Sequence, residues 1–305
     1  MTKLAFIMAA SHSGSTLLAM LLGSHPQATT IGDTAGTSNR KNPDYRCSCG
    51  YKAQACPFWQ RVIDQMARRG INVDVTDFGT RFEYPESRFI NRALHAEHRG
   101  PIWEAVRDSV LWLSPGWRRQ FRTIAERNVA LVETVTEINN SQILIDSSKL
   151  PHRLKFLLRI PELEVKVIHL VRDGRGVVHT YIQDNGWSAE KSAIEWRRSI
   201  LAAEKLLARL DQGMWTQVRY EDLCSDPQAE LKKLCAFLGL DPSRVNLDFR
   251  SAGLHVFGNK MRLSSEQVIR LDNKWRTELT DSQVSTIERL VGEQLVRYGY
   301  SVNGI

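Results

Sequence analysis

The chain has 305 residues, 42% hydrophobic and 25% charged, enough to bury the core of one large α/β domain and too apolar for a disordered chain. Its net charge of +7 suits an anionic ligand such as a nucleotide, while the lack of a long Lys/Arg run or an aromatic-interleaved basic stripe argues against nucleic acid as the partner. No run reaches the roughly 18 apolar residues that span a bilayer, and five cysteines are too few, and odd in number, for a disulfide scaffold.

The apolar run at the start predicts a first strand over Leu4–Ala9. It resembles a short signal segment in composition, but it leads directly into a loop of small polar residues, so a soluble, cytoplasmic protein is expected. A helix is predicted from Thr16 to about Ser24, stopped by His25-Pro26, and a second strand over Ala28–Ile31. Residues 34 to about 100 read as irregular and polar, an insertion beside the core that contains one helix from Pro57 to Arg69. The period of Phe121, Ile124, Val132 and Val135 predicts a long helix from Trp117 to Asn140.

Strands and helices then alternate. Strands are predicted over Ile143–Asp146, Val165–Val171 and Trp215–Tyr220. Helices are predicted around Leu154–Leu158 and over Gly174–Gln183, Ala189–Leu210, Pro227–Leu238 and Asp281–Tyr298. Val165–Val171 is almost wholly apolar, as a strand covered on both faces should be. The expected fold is α/β: a P-loop-type central parallel sheet flanked by helices, with a mainly helical and irregular insertion. A single domain over 1–305 is expected, with residues 34–117 shaping an acceptor site.

Between the first strand and helix lies Ala10-Ser11-His12-Ser13-Gly14-Ser15. Backbone N–H groups at a helix N-terminus bind phosphate, and the helix dipole reinforces them. Gly14 permits close approach, and Ser13, Ser15 and Thr16 add hydroxyls. The loop lacks the lysine and upstream glycine of a Walker A motif, so it is a phosphate loop of another kind, or a plain serine-rich turn. After the strand Val165–Val171 comes Arg172-Asp173-Gly174-Arg175-Gly176. An arginine at a strand's C-terminal end faces the ligand crevice of an open sheet, and its planar fork suits a phosphate.

These segments resemble the sulfotransferases that use 3′-phosphoadenosine 5′-phosphosulfate (PAPS), more closely the bacterial and tyrosylprotein-type branch. HSGST (His12–Thr16) is similar to the 5′-phosphosulfate loop, and LVRDGRGVVHT (Leu170–Thr180) to the 3′-phosphate segment. VRYEDL (Val218–Leu223) is similar to the adenine-side segment, and GNKMR (Gly258–Arg262) to the late basic loop. The resemblance implies that Ser13, Gly14, Ser15 and Thr16 hold the 5′-phosphosulfate, and Arg172 and Thr180 the 3′-phosphate. It places Tyr220 against the base, with Lys260 or Arg262 reaching a phosphate. The family's first loop usually begins with Lys or Arg; here His12 stands instead, which implies a dependence on pH near the histidine range of about 6 to 7.

Sulfuryl transfer needs positioning, charge stabilisation and a base for the acceptor proton; the scheme requires no metal. The resemblance makes Lys149, in DSSK, a partner of the sulfonate; the other reading is a capped helix N-terminus with Lys149 in solvent. Asp33 falls where tyrosylprotein-type enzymes carry a catalytic glutamate, which implies a base, against a turn aspartate bonding its own backbone. His152 and His255 are reserve candidates for a titrating group.

Cys47, Cys49 and Cys56 fall within ten residues. They read as a reduced structural loop, a disulfide, or a metal site without an obvious fourth ligand. Trp59, Trp103, Trp112 and Trp117 read as core residues or as the lining of an acceptor pocket. The acceptor and the oligomeric state are not legible in the sequence. Two other functions share the pattern: a P-loop kinase-like phosphotransferase, and a non-catalytic nucleotide-binding protein that lost its chemistry with the basic residue replaced by His12.

Overall fold

The computed structural model describes residues 1–35, 42–84, 90–91, 94, 101–264 and 269–302, with the side chains of 101–105 excepted. Strand β1 (Thr2–Ala9) leads to helix α1 (Ser15–Gly23) and strand β2 (Ala28–Gly32). Helices α2 (Pro57–Arg68), α3 (Pro101–Leu113) and α4 (Pro115–Ile138) follow. Then come β3 (Ile143–Lys149), α5 (Pro151–Leu157), β4 (Leu163–Val171), α6 (Gly174–Asn185) and α7 (Ala189–Leu207). Strand β5 (Trp215–Arg219), α8 (Tyr220–Ser225), α9 (Pro227–Leu238), α10 (Trp275–Glu278) and α11 (Asp281–Arg297) complete the order.

The five strands pair in parallel in the order β2-β3-β1-β4-β5. β1 alternates between two cores. Leu4, Phe6 and Met8 pack with α2, α4 and α5, whereas Ala5, Ile7 and Ala9 pack with α1 and α9. Burial on both faces explains why β1 and β4 read as nearly continuous apolar runs.

The central position of β1 puts a topological switch point at its C-terminal end, where open α/β sheets bind ligands. The loops after β1, β3 and β4 therefore emerge side by side.

Two sequence expectations need correction. The segment 42–84 is not a polar layer beside the core: Cys47, Trp59, Val62, Met66, Phe78 and Phe82 are buried in it. Trp59, Val62 and Met66 lie at helical spacing on α2, whereas Cys47, Phe78 and Phe82 lie outside any helix or strand, so their burial had no periodic signal. β3 also runs three residues beyond Asp146, and α5 is capped by Leu150 rather than by Asp146 or Ser147. Asp146 is instead wholly buried.

Around Asp146 lies a buried polar network. It accepts hydrogen bonds from Thr34 and Ser148 and lies 3.4 Å from Arg153 Nε. Arg153 also donates to the Thr80 carbonyl, Thr34 Oγ1 and Asn128 Oδ1, each at 2.7 Å. The network ties the end of β2 to β3, α4 and α5, so it fixes the floor below Asp33 and Lys149.

Candidate active site

Gly14 occupies the left-handed region at φ 89°, immediately before α1. A Cβ there would lie 2.5 Å from the Tyr220 ring, so both the turn and the packing require glycine. No side chain caps α1, which leaves its first N–H groups directed into the loop. The Ser13 hydroxyl is buried with no hydrogen-bond partner among the described residues. A buried orphan hydroxyl at an uncapped helix N-terminus fits an anion's oxygen, since leaving it unmade costs about 1–3 kcal/mol. Ser15 and Thr16 are buried in the first turn of α1.

Three basic side chains converge here from three strand ends. His12, after β1, has φ 62° and lies 3.7 Å from Asp184 through Nδ1. Its ring meets Tyr181 edge-on at 5.3 Å. Burial pulls its pKa below the ordinary 6.5; Asp184 pushes it back, while Lys149 and Arg172 lower it further. Burial and the two neighbouring cations thus favour the neutral imidazole. Lys149 ends β3 with φ 71° and donates to the Ser147 carbonyl at 3.1 Å.

Arg172, after β4, is 6% exposed. It donates to the His12 carbonyl at 2.8 Å and to Asp272 Oδ2 at 2.9 Å, and its guanidinium lies 4.7 Å from the Tyr220 ring centroid. Burial alone would raise the Asp272 carboxyl, but Arg172 holds it below its ordinary value. Asp272 thus meets the guanidinium in the way a phosphate oxygen would.

Other sequence candidates fall in distinct places. Asp33 is buried; its Oδ1 accepts from Ser148 Oγ at 2.8 Å and from the Ala35 N–H at 2.9 Å. Thr180 donates to the Gly176 carbonyl at 3.1 Å, one turn back in α6. Lys260 is exposed, while Arg262 is buried and donates to the carbonyls of Arg46, Gly258 and Asn259. Arg262 thus clamps its own turn, which Gly258 brings against Thr16. An open cleft of about 810 Å³ runs between Asp184, Asp44, Tyr45, Lys260 and Arg262.

His152 lies instead beside Arg107 and Lys155 in another cavity. His255 joins the three clustered cysteines. Trp59 and Trp117 are core residues, and Trp112 packs on Phe121 and Arg159; the Trp103 side chain lies outside the described residues.

Sequence reasoning missed Asp184 and Asp272. Asp184 had a usable signal, standing four residues after Thr180 on one helix. Asp272 had none, because its contact with Arg172 spans one hundred residues.

A family model described as the sulfotransferase family matches residues 5–244. Human carbohydrate sulfotransferase 6 is 24% identical over 172 residues, covering 47% of this chain and 44% of its own. The nodulation protein NoeE of Sinorhizobium fredii is 36% identical over 92 residues, covering 27% of this chain and 21% of its own. The chain thus spans less than half the length of these curated relatives. Among solved structures, the sulfotransferase domain of the Synechococcus PCC 7002 olefin synthase aligns with a TM-score of 0.53 and 20% identity, covering 99% of this chain and 96% of that one. It shares the fold. Since the family model matches residues 5–244, from β1 past α9, the chain belongs to the sulfotransferase family.

Proposed function

We propose that the protein transfers the sulfuryl group of PAPS to an acceptor hydroxyl, or less directly an amine, by in-line displacement. The observation that carries this reading is the convergence of the orphan Ser13 hydroxyl, the uncapped N-terminus of α1, and His12, Lys149 and Arg172 at one switch point. In the step, the acceptor oxygen forms a bond to sulfur as the bond from sulfur to the phosphate oxygen breaks. The acceptor proton passes to Asp33, and 3′-phosphoadenosine 5′-phosphate leaves. Lys149 and His12 stabilise charge on the sulfonate and the leaving oxygen. Arg172 and Thr180 hold the 3′-phosphate, Tyr220 lies beside the base, and Lys260 covers the nucleotide.

The names of the curated relatives favour a saccharide hydroxyl as acceptor. The insertion 34–117 would then supply its walls. Among the described residues, no helix is long and apolar enough to cross a membrane. Cys47, Cys49 and Cys56 are not joined by a disulfide, which suits a reducing compartment such as the cytoplasm.

Calorimetry with 3′-phosphoadenosine 5′-phosphate, against 5′-AMP, ADP and ATP, tests the reading. Strong preference for the 3′-phosphate is expected. Equal or tighter binding of ATP would overturn it in favour of a kinase-like phosphotransferase.

Because burial favours the neutral imidazole of His12, we assign it the role of a hydrogen-bond donor rather than a cation. His12→Gln, which keeps a neutral donor, is expected to lower turnover of PAPS less than about tenfold. His12→Ala is expected to lower it about 100-fold, the usual effect of losing one such donor. Equal losses in the two variants would refute the donor role.

A further inference from the structure

The three clustered cysteines gain a fourth neighbour from a distant part of the chain. Cys47, Cys49, Cys56 and His255 place one ligand atom each within 4.8 Å of all the others. His255 Nδ1 lies 3.3 Å from Cys56 Sγ and 3.6 Å from Cys47 Sγ, and Cys49 Sγ lies 3.5 Å from Cys56 Sγ. A tetrahedral zinc site with Zn–S of about 2.3 Å and Zn–N of about 2.0–2.1 Å has S···N edges of about 3.5 Å and S···S edges of about 3.8 Å. The three closest spacings lie within about 0.3 Å of those edges, and the other three lie within 4.8 Å. We propose that Cys47, Cys49, Cys56 and His255 bind a structural Zn²⁺.

Local architecture supports the assignment. Cys47-Ser48-Cys49-Gly50 is a tight turn, closed by the Gly50 N–H on the Cys47 carbonyl at 2.9 Å, with Gly50 at φ 88°. The turn aims two thiols from one short loop. Cys56 is the residue before α2, and the Phe58 and Trp59 backbone N–H groups reach its sulfur. The His255 ring stacks on Phe58 at 4.5 Å and 2°, which orients Nδ1 toward the sulfurs. Ser48 fastens the two partners: its Oγ donates to the Leu254 carbonyl at 2.6 Å and accepts from the Val256 N–H at 2.7 Å.

Three thiols and one imidazole are a donor set for zinc rather than for magnesium or calcium, which take oxygen. A fully closed four-ligand set is structural, since a catalytic zinc keeps an open position. A disulfide would need Cys49 and Cys56 to close from 3.5 Å to about 2.05 Å, and would leave Cys47 and His255 together without a purpose. The sequence reading assigned no metal because a fourth ligand was not in view; His255 follows Cys47 by 208 residues. The inference does not rest on the sulfotransfer reading, and its test reads metal, not activity.

The full chain, expressed with zinc and dialysed against metal-free buffer, should carry one zinc per chain by elemental mass spectrometry. Cobalt added to chelator-stripped protein should give the intense visible bands and thiolate charge-transfer band of a tetrahedral site. Cys49→Ser and His255→Ala should each weaken zinc binding by more than about 100-fold, beyond the loss from an outer-shell change. Cys224→Ser, outside the cluster, should leave binding unchanged. Substoichiometric metal with no cobalt bands overturns the proposal, as does a Cys49–Cys56 disulfide in the purified protein. Should the variants fail to fold, the wild-type cobalt spectrum decides by itself.

Discussion

Arg172→Ala is expected to weaken binding of 3′-phosphoadenosine 5′-phosphate by about 100-fold or more, from charge-assisted hydrogen bonds of about 1.5–3 kcal/mol each. Binding of 5′-AMP, which lacks the 3′-phosphate, should change by no more than about threefold, under 1 kcal/mol. Arg172→Lys keeps the charge but not the planar fork, so it should recover only part of the loss. Asp272→Asn should act in the opposite sense. Asp272 occupies the same guanidinium, and removing its charge removes a competitor for the phosphate. Calorimetry with both nucleotides on the three variants checks this. An equal loss for both nucleotides in Arg172→Ala would place the residue's effect in holding the His12 carbonyl and the loop, not in the 3′-phosphate. The Arg172–Asp272 pair also carries a sign for pH. The carboxyl is depressed in the fold, so its contribution is present above the unfolded carboxyl range, about 3.9, and is lost as pH falls through the lower folded value.

Asp146→Ala is expected to destabilise the protein by about 3–5 kcal/mol, because it strands a buried guanidinium. Arg153 is 2% exposed and Asp146 wholly buried, so water is poorly placed to replace the lost partner. The double change Asp146→Leu with Arg153→Met should cost less than Asp146→Ala alone, since no buried charge is left uncompensated. Urea unfolding of the three proteins measures this. A loss below about 1 kcal/mol for Asp146→Ala, the range of an exposed pair, would show that the network is solvated. Because Ser148 bridges Asp146 and Asp33, Asp146→Ala should also disturb the proposed base.

Strands β1 and β4 were legible because burial on both faces makes an apolar run that polar loops bound at each end. The turn at Gly14 was legible because its glycine and serines sit between an apolar strand and a helix. The polar end of β3 was not: Ser147 and Ser148 are 2% exposed, and the Ser148 hydroxyl meets Asp33, 115 residues away in the chain. That Arg262 also ties its turn to the Arg46 carbonyl could not be read, since that acceptor is 216 residues away. Trp59 shares a helical face with Val62 and Met66, but its stacking on Phe257, at 4.3 Å and 8°, joins segments far apart in the chain. In each case the missing information was a contact between distant segments.

The central placement of β1 also governs how the proposed nucleotide site opens. β1 is hydrogen-bonded to β3 on one side and to β4 on the other, so its amides separate only when the sheet as a whole comes apart. The turn Gly258–Arg262 meets the sheet through the bridge between Gly32 and Phe257. The two walls around Thr16 therefore belong to cooperative units of unequal free energy. The outer wall can detach as a sub-global fluctuation while the inner wall keeps its register. Product escape is then expected to proceed by local opening of the Gly258–Arg262 turn, with β1 still paired on both sides.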